Sequence, residues 1–557
     1  MKAANKSWTL PLAGVLAAVL IVSGCSKGGS EEASPSASGS QVASGSASAQ
    51  AAGDVYKLGE KPLEFSFYGH YDWYTMPNWG EDEASKWIKE NKKVNVVPIS
   101  SGGNAAQKLS TMIVSSELPD VIWLERGADV EKLRAAGMLV PFDDYLDKYP
   151  NLKKWAGDST LNMLRSPDGK IYQFPNWYTT QPNGNAGYVV NKKIYKELGS
   201  PKLETTDDLY NYLKLVKEKF PDVIPFEGGQ KAEAVNILTS AFAENHPYDF
   251  DSLPMIALPK DGKLTSVFED DAFRQAVAFG SKLYREKLMT PDTFTQPRDQ
   301  VEQNVITGKV AVYAASSPTE FGAIGNSTLQ AQDPDAGYIM VWPIHKEGLD
   351  KNKIFTGSYN QLGWNVSVIT KNAKDPEAIF AFLDWLTGPE GERVIMWGPP
   401  GLYWDGADEE DKPKFTEKFT SDTKGRDKLM NDTVDLQWVG NTVYVDNSKM
   451  KFESTLPEEL KSWETKWQSE ITWKTQYNTT EFVNLEPAGD SEEGIVAQSV
   501  KDIYEKAFAQ SIMNGKSDED VFAILDKANA DAKKVGYEKL LDYKTKRWQE
   551  NLSKLKP

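Results

Sequence analysis

From residue 63 onward the apolar and polar positions fall into a repeating order. Leu63, Phe65 and Phe67 alternate with Glu64 and Ser66, the period of a strand. Residues 81–92 carry Trp87 and Ile88 in a helical pattern, and 94–99 form a second strand. Asn104 is placed to cap a helix running to about Ser116, with Leu109, Met112 and Ile113 on one face. Val121-Ile122-Trp123-Leu124, bounded by Pro119-Asp120, is a third strand, and Asp129 opens a helix that Gly137 ends. Strand–helix units of this kind predict βαβ crossovers and a parallel sheet. Further strands are expected at 171–174, 188–190, 310–313, 338–342 and 365–369. Thr206 precedes a helix with Leu209, Tyr212, Leu213 and Val216 at helical spacing. Asp375-Pro376-Glu377 combines a cap, a proline at the first position and an acid at the positive helix end. Residues 492–513 read as a long amphipathic helix, Ser517 caps another, and the C-terminal third is mainly helical. No internal repeat has solenoid spacing.

The first 53 residues follow a different pattern. Lys2 and Lys6 precede an apolar run over residues 10–22, too short to span a bilayer comfortably and right for a signal-peptide core. Val22-Ser23-Gly24-Cys25 closes it, and Cys25 is the only cysteine of the chain. A lone thiol after small residues resembles a bacterial lipobox. That resemblance implies a diacylglyceryl group on Cys25, cleavage of residues 1–24, and two acyl chains that hold the protein on a membrane. An ordinary secretory signal with an incidental cysteine is the alternative. Residues 25–53 are Ser, Ala and Gly with few polar groups, and read as a flexible tether.

Loss of Lys2 and Lys6 takes the formal charge from −17 to −19 on the mature chain. Such an acidic excess argues against nucleic acid, which needs Lys/Arg stripes to displace counterions, and against docking on anionic lipid. With Cys25 lipidated no disulfide forms, so the core alone holds the fold. The 17 Trp, 23 Tyr and 22 Phe change the picture more, because many stand beside Asp, Asn, Gly or Pro outside apolar runs. Such rings suit the C–H face of a sugar, and neighbouring Asp, Asn and Gln suit its hydroxyls.

Ligands in open parallel sheets bind outside the carboxyl ends of the strands. That rule selects Gly69-His70-Tyr71-Asp72-Trp73-Tyr74, then Ser100-Ser101-Gly102-Gly103-Asn104, then Glu125-Arg126-Gly127, and a fourth loop, Asn176-Trp177-Tyr178. Asp72, Trp73, Tyr74, Glu125, Arg126, Trp177 and Tyr178 are therefore candidate ligand residues, with Trp123 at the edge of the same mouth. Packing within a lobe is the competing role for each ring. Asp72 and Glu125 also fit surface carboxylates, and Arg126 fits a partner for Glu125 or an acid of the helix from Asp129.

At these residues the chain resembles the extracellular solute-binding proteins of bacterial ABC importers, in particular the large carbohydrate-binding lipoproteins. The resemblance is carried by Ser116-Glu117-Leu118-Pro119-Asp120-Val121-Ile122, by residues 136–146 (AGMLVPFDDYL), by Asp168-Gly169-Lys170-Ile171-Tyr172-Gln173-Phe174-Pro175 and by residues 188–199. Thr307-Gly308-Lys309-Val310-Ala311-Val312 and Asp375-Pro376-Glu377-Ala378 continue it in family order. It implies a periplasmic-binding-protein-like α/β fold of two lobes, each with a mostly parallel sheet, joined by hinge crossings near Tyr188, Ala314 and Gly357. Lobe 1 is expected at 54–186 plus 315–355, and lobe 2 at 187–314 plus 356–557. Tyr359 and Asn360 at the last crossing would then face the cleft, with Trp342, Trp397, Trp404 and Trp438 as further rings. It also implies an oligosaccharide ligand, ABC permease subunits as partners, a monomer, and a place on the extracytoplasmic face of the cell membrane.

The sequence has no GxxxxGK, GxGxxG or GxSxG signature, and His70, His246 and His345 do not share metal-ligand spacing. No cofactor and no metal are expected. The run Asp405–Asp411 lacks the ligand order of a calcium loop, although the resemblance leaves a structural calcium open. A glycoside hydrolase, which needs only two carboxylates, stays open beside the non-enzymatic receptor. So do a peptide receptor of the same fold and a sensor presenting sugar to a membrane kinase.

Overall fold

In β1 (Leu63–Gly69) Phe65 and Phe67 enter one core cluster while Tyr68 enters another, so the strand is buried on both faces. The computed structural model describes residues 55–246, 256–489 and 491–556; the expected signal segment, Cys25 and the tether lie outside them. The next strands are β2 (Val94–Ile99), β3 (Val121–Leu124) and β4 (Gln173–Pro175). Then come β5 (Gly187–Asn191), β6 (Ile224–Glu227), the hairpin of β7 (Ile256–Lys260) and β8 (Lys263–Ser266), β9 (Val310–Ala315) and β10 (Tyr338–Val341). β11 (Gly357–Tyr359), β12 (Val366–Ile369), β13 (Trp404–Ala407), β14 (Pro413–Phe415) and β15 (Gln476–Asn478) complete the set.

Two sheets organise the fold. The first has the order β2-β1-β3-β12-β4 and the second β10-β5-β9-β6. Neither is purely parallel. β12 runs antiparallel to β3 and β4, and β5 runs antiparallel to β10 and β9. In each sheet this is the strand by which the chain arrives from the other sheet. A chain that leaves one sheet past its strands' carboxyl ends enters the next at the same edge, and must run away from it.

The lobe boundaries expected from the sequence need correction. β10 pairs with β5, and the helix Pro318–Gln330 contributes Phe321 to the cluster around Val189, Tyr338 and Met340, so residues 315–355 belong largely to the second sheet. β12 lies inside the first sheet, and the helices Pro376–Thr387 and Pro389–Trp397 pack on that sheet's core. Residues 356–453 therefore do not form part of the second lobe. No crossing occurs near Ala314. The chain passes between the sheets after β4, between β10 and β12, and after the helix Thr442–Glu453, whose Tyr444 and Val445 sit in the first core. The second passage forms a parallel ladder, β11 with β15, the latter following the helix Trp463–Glu470 that packs on the second sheet. The last three helices, Glu492–Asn514, Asp518–Lys534 and Tyr537–Leu555, close over the second sheet's core.

Local signals behave as the sequence directs in most places. Asp375 accepts from the Ala378 amide at the head of Pro376–Thr387. The helix Thr206–Lys219 is capped by Thr205 with Asp208 in a reciprocal box. Asn104 makes no cap bond, however; the Asp72 carboxylate accepts from the Ala105 amide at 2.7 Å in its place.

Phe380 is fully buried among Phe142, Tyr145, Tyr149 and Phe174, with ring centroids 5.1 to 6.0 Å away. Phe380→Ala is expected to cost about 3–5 kcal/mol in denaturant unfolding with an unchanged m-value. Glu392 is buried on Pro389–Trp397 and accepts from the Asn441 amide at 2.6 Å. Burial raises its pKa from 4.5 to about 8, against the opposing pull of that amide. Between those values the unfolded chain releases a proton that the folded chain keeps, so stability falls as pH rises through the window. Melting temperatures of the wild type should decline from pH 5 to pH 8 more steeply than those of Glu392→Gln.

Candidate ligand site at the strand ends of the first sheet

Register brings four chain segments to one edge. Gly69 of β1 is opposite Trp123, and Val366 at the start of β12 is opposite both Leu124 and Pro175. The residues just past β1, β3 and β4 and just before β12 therefore converge. They are His70–Tyr74, Glu125-Arg126, Asn176–Tyr178 and Gly363–Asn365. At the second sheet Gly187 is opposite Ala315 and Tyr188 opposite Val341, so the first passage enters beside the ends of β9 and β10.

A group of rings occupies the first of these edges. Trp123 is 3% exposed and forms the floor, with Tyr71 at 5.0 Å, Tyr74 at 5.0 Å and Trp364 at 5.4 Å between centroids. Trp73 and Trp364 stand above it at 80° and 81°. They are parallel to each other within 13° at 6.3 Å, and are 60% and 45% exposed. Two large indoles kept open to solvent forfeit hydrophobic burial, which marks a contact surface rather than a core.

Polar groups thread beneath the rings. The Tyr71 hydroxyl donates to Glu125 Oε1 at 3.0 Å and accepts from Asn365 Nδ2 at 2.7 Å. Burial, then the Glu125 charge, pushes that phenol well above its ordinary pKa. Asn365 Oδ1 accepts from Asn176 Nδ2 at 3.0 Å, and Asn176 Oδ1 accepts from the Gly440 amide at 2.6 Å. Arg126 is half-buried and donates through Nη1 to the carbonyls of Leu362, Gly363 and Trp364. Burial lowers its pKa to about 10, with Glu125 pulling the other way, so it is a cation at neutral pH. Gly363 has φ +71°, and a Cβ there would fall 2.1 Å from the Asn176 carbonyl oxygen; only glycine lets the two passages touch.

The residues expected at the site divide into groups. Trp73, Glu125 and Asp72 are exposed at this edge, with Asp72 also holding the head of Ala105–Ser115. Tyr74 and Trp123 lie beneath the exposed rings as support. Trp177 is half-buried with a left-handed φ of 55°, its ring laid on Gly440, where a Cβ would come within 2.6 Å. Trp342 is half-buried on the second sheet and donates to the Lys351 carbonyl at 2.9 Å. Tyr359 lies in the β11–β15 ladder, and the Asn360 side chain accepts from the Leu362 amide.

Three rings are corrected outright. Tyr178 is wholly buried, its hydroxyl 2.8 Å from that of Thr387. Trp404 is buried, donates to the Gly398 carbonyl at 2.7 Å and carries the Arg393 guanidinium on its face. Trp438 is buried, stacks on Phe67 at 4.1 Å and donates to the Asp435 carbonyl. All three are core rings whose polar atoms are satisfied internally. Trp397 is buried as well, against Phe415. The sequence reading missed Trp364 and Asn365, although Gly363-Trp364-Asn365 has the polar surroundings that singled out Trp73. They escaped notice because they precede a strand, and the rule looks only past strand ends.

Among the described residues no group of His, Cys, Asp or Glu has metal-holding geometry. In the acidic run, Asp408 accepts from Lys451 Nζ and from the Glu410 and Lys412 amides, and the Lys451 bond leads in holding its pKa down at about 2. Among the described residues no helix is long and apolar enough to cross a membrane.

Comparison with known proteins places this geometry. Lipoprotein LipO of Bacillus subtilis (strain 168) is 24% identical over 328 residues, covering 58% of this chain and 62% of LipO. The melibiose/raffinose/stachyose-binding protein MelE of the same organism is 22% identical over 309 residues, covering 54% of this chain and 65% of MelE. The match thus spans less than two thirds of either relative. A Streptococcus pneumoniae ABC-transporter substrate-binding protein, FusA in complex with kestose, superimposes with a TM-score of 0.63 at 21% identity, over 88% of this chain and all of FusA. A Bifidobacterium longum infantis HMO-binding, ABC-transporter-associated solute-binding protein gives 0.64 at 16% identity, over 87% of this chain and 98% of its own. These likenesses show the fold. The profile of the bacterial extracellular solute-binding proteins matches residues 74–393, more than half of the chain, and the chain belongs to that family.

Proposed function

We propose that this protein is the substrate-binding component of an ABC importer, held outside the cell membrane by a lipid on Cys25, and that it captures an oligosaccharide. The observation that carries the reading is the pair of exposed, near-parallel indoles Trp73 and Trp364 at the converging strand ends. An indole face offers a flat apolar surface to the C–H face of a pyranose at low entropy cost. Glu125 and Asp72 beside it supply acceptors for hydroxyl groups. The second sheet, reached through three passages, supplies the opposing wall, and movement about the β11–β15 ladder closes the two over the ligand. The family supports a binder rather than a catalyst. Two relatives named for binding melibiose, raffinose and stachyose and for binding polygalacturonan and rhamnogalacturonan support a sugar ligand, neutral or acidic.

A thermal-shift screen with raffinose, stachyose, kestose, oligogalacturonates and amino-sugar oligomers tests the reading. A ligand should raise the melting temperature and be recovered intact. Product formation over hours would instead favour a hydrolase, and peptides that shift the curve when sugars do not would favour a peptide receptor. Trp73→Ala and Trp364→Ala should each weaken binding about tenfold or more by calorimetry, with little change in melting temperature. Unchanged affinity in both removes the platform. Separately, Cys25→Ser should move the protein from the membrane fraction to the medium or periplasm, and retention in the membrane would remove the lipid anchor.

A further inference from the structure

Arg126 lies two residues past β3, and its Nη1 is committed to backbone while its buried Nε has no protein partner. Its Nη1 lies 3.2, 2.8 and 2.8 Å from the carbonyl oxygens of Leu362, Gly363 and Trp364. Glu125, its neighbour in the chain, is bonded instead to the Tyr71 hydroxyl. Three successive carbonyls aimed at one point repel one another as dipoles. A cation relieves that repulsion with charge-assisted bonds, the two Nη1 hydrogens being shared among the three carbonyls, which a neutral side chain does less well.

The clamped residues lead into β12 and carry the Trp364 ring. Their other side is held by the first passage: the Trp364 amide donates to the Asn176 carbonyl at 2.9 Å, and Asn365 links Asn176 to Tyr71. The ring itself stands free enough to be 45% exposed. Its orientation rests on its contacts with Tyr71 and Trp123 and on the backbone beneath it.

We propose that Arg126 is a positioning residue for ligand binding: by pinning the carbonyls of residues 362–364 to the end of β3, it holds the Trp364 ring parallel to Trp73. The inference rests on the reading of these rings as the sugar platform. Arg126 then acts through Trp364 and not by touching the sugar, and ties the ligand-bearing ring to a segment that continues into the β11–β15 ladder.

The test uses the full chain and Arg126→Ala, Arg126→Lys, Trp364→Ala and the double variant Arg126→Ala/Trp364→Ala. Without ligand, Arg126→Ala should change the near-UV circular dichroism of the clustered indoles and speed amide exchange at residues 363–366. With whichever of raffinose, stachyose, kestose, the oligogalacturonates and the amino-sugar oligomers raises the wild-type melting temperature most, its affinity should fall about tenfold or more. Arg126→Lys should lie between, and serves alone if the alanine variant does not fold. The double variant should bind no more weakly than Trp364→Ala, because the two residues act as one unit. Losses that multiply in the double variant would place Arg126 on the ligand and overturn the proposal, as would an unchanged spectrum and exchange rate. If Trp73→Ala and Trp364→Ala both bind normally, the platform reading falls and Arg126's part in binding falls with it. The ligand-free spectrum and exchange then still decide separately whether Arg126 holds the loop.

Discussion

β12 is antiparallel to both of its neighbours in the first sheet, so its amino end lies where β3 and β4 finish. A strand in the common direction would carry residues 363–365 to the far edge. Reversed, it delivers Trp364 beside Trp73, presents three carbonyls to Arg126, and sets Asn365 between Tyr71 and Asn176. The reversal follows from connectivity: the chain returns from the second sheet and must enter at the edge it came from. β5 obeys the same constraint in the other sheet. The candidate site is thus built where the chain changes sheets, and its rings share a backbone with the passages that a hinge would bend.

Two of the buried rings satisfy their polar atoms on backbone, whereas the indole N–H of the buried Trp123 has no partner. Trp438 and Trp404 direct their indole N–H to backbone carbonyls within their own layer, which removes the cost of burying that donor. Once the donor is satisfied, burial of the large apolar face is all gain. Trp73 and Trp364 leave most of that gain unrealised. Each is propped edge-on by Trp123, which is itself buried against Tyr71 and Tyr74. On the proposed reading, this supported and open pair of indoles presents its faces to a flat partner before binding.

The net charge does not describe the charge at this edge. The chain is strongly acidic overall, yet the acids nearest the rings each have a structural partner: Asp72 holds a helix head, Glu125 takes the Tyr71 hydroxyl, and Asp129 lies 3.6 Å from His70. Arg126 Nη1 is similarly committed, to carbonyls, while its Nε has no protein partner. If these rings are the proposed platform, it offers mainly ring surface with unused carboxylate lone pairs at its margin, an arrangement suited to hydroxyl donors.

The sequence by itself determined the elements and their class. Alternation at Leu63, Phe65 and Phe67, the cap at Asp375 and the helical run from 492 are local patterns, set by neighbours a few residues apart, and they survive into the fold. Its motif order was enough to identify the family, and the strand-end rule pointed to the sheet edge where Trp73, Glu125 and Arg126 stand. Only the tertiary structure decided which sheet each strand joined, and so where residues 315–355 and 356–453 belong. Only it separated Trp73 from Trp438, since both stand beside polar residues in the chain and differ solely in what folds over them. Burial and pairing depend on residues hundreds of positions away, such as Tyr71 with Asn365 and Arg126 with Trp364. No local pattern encodes contacts at that separation.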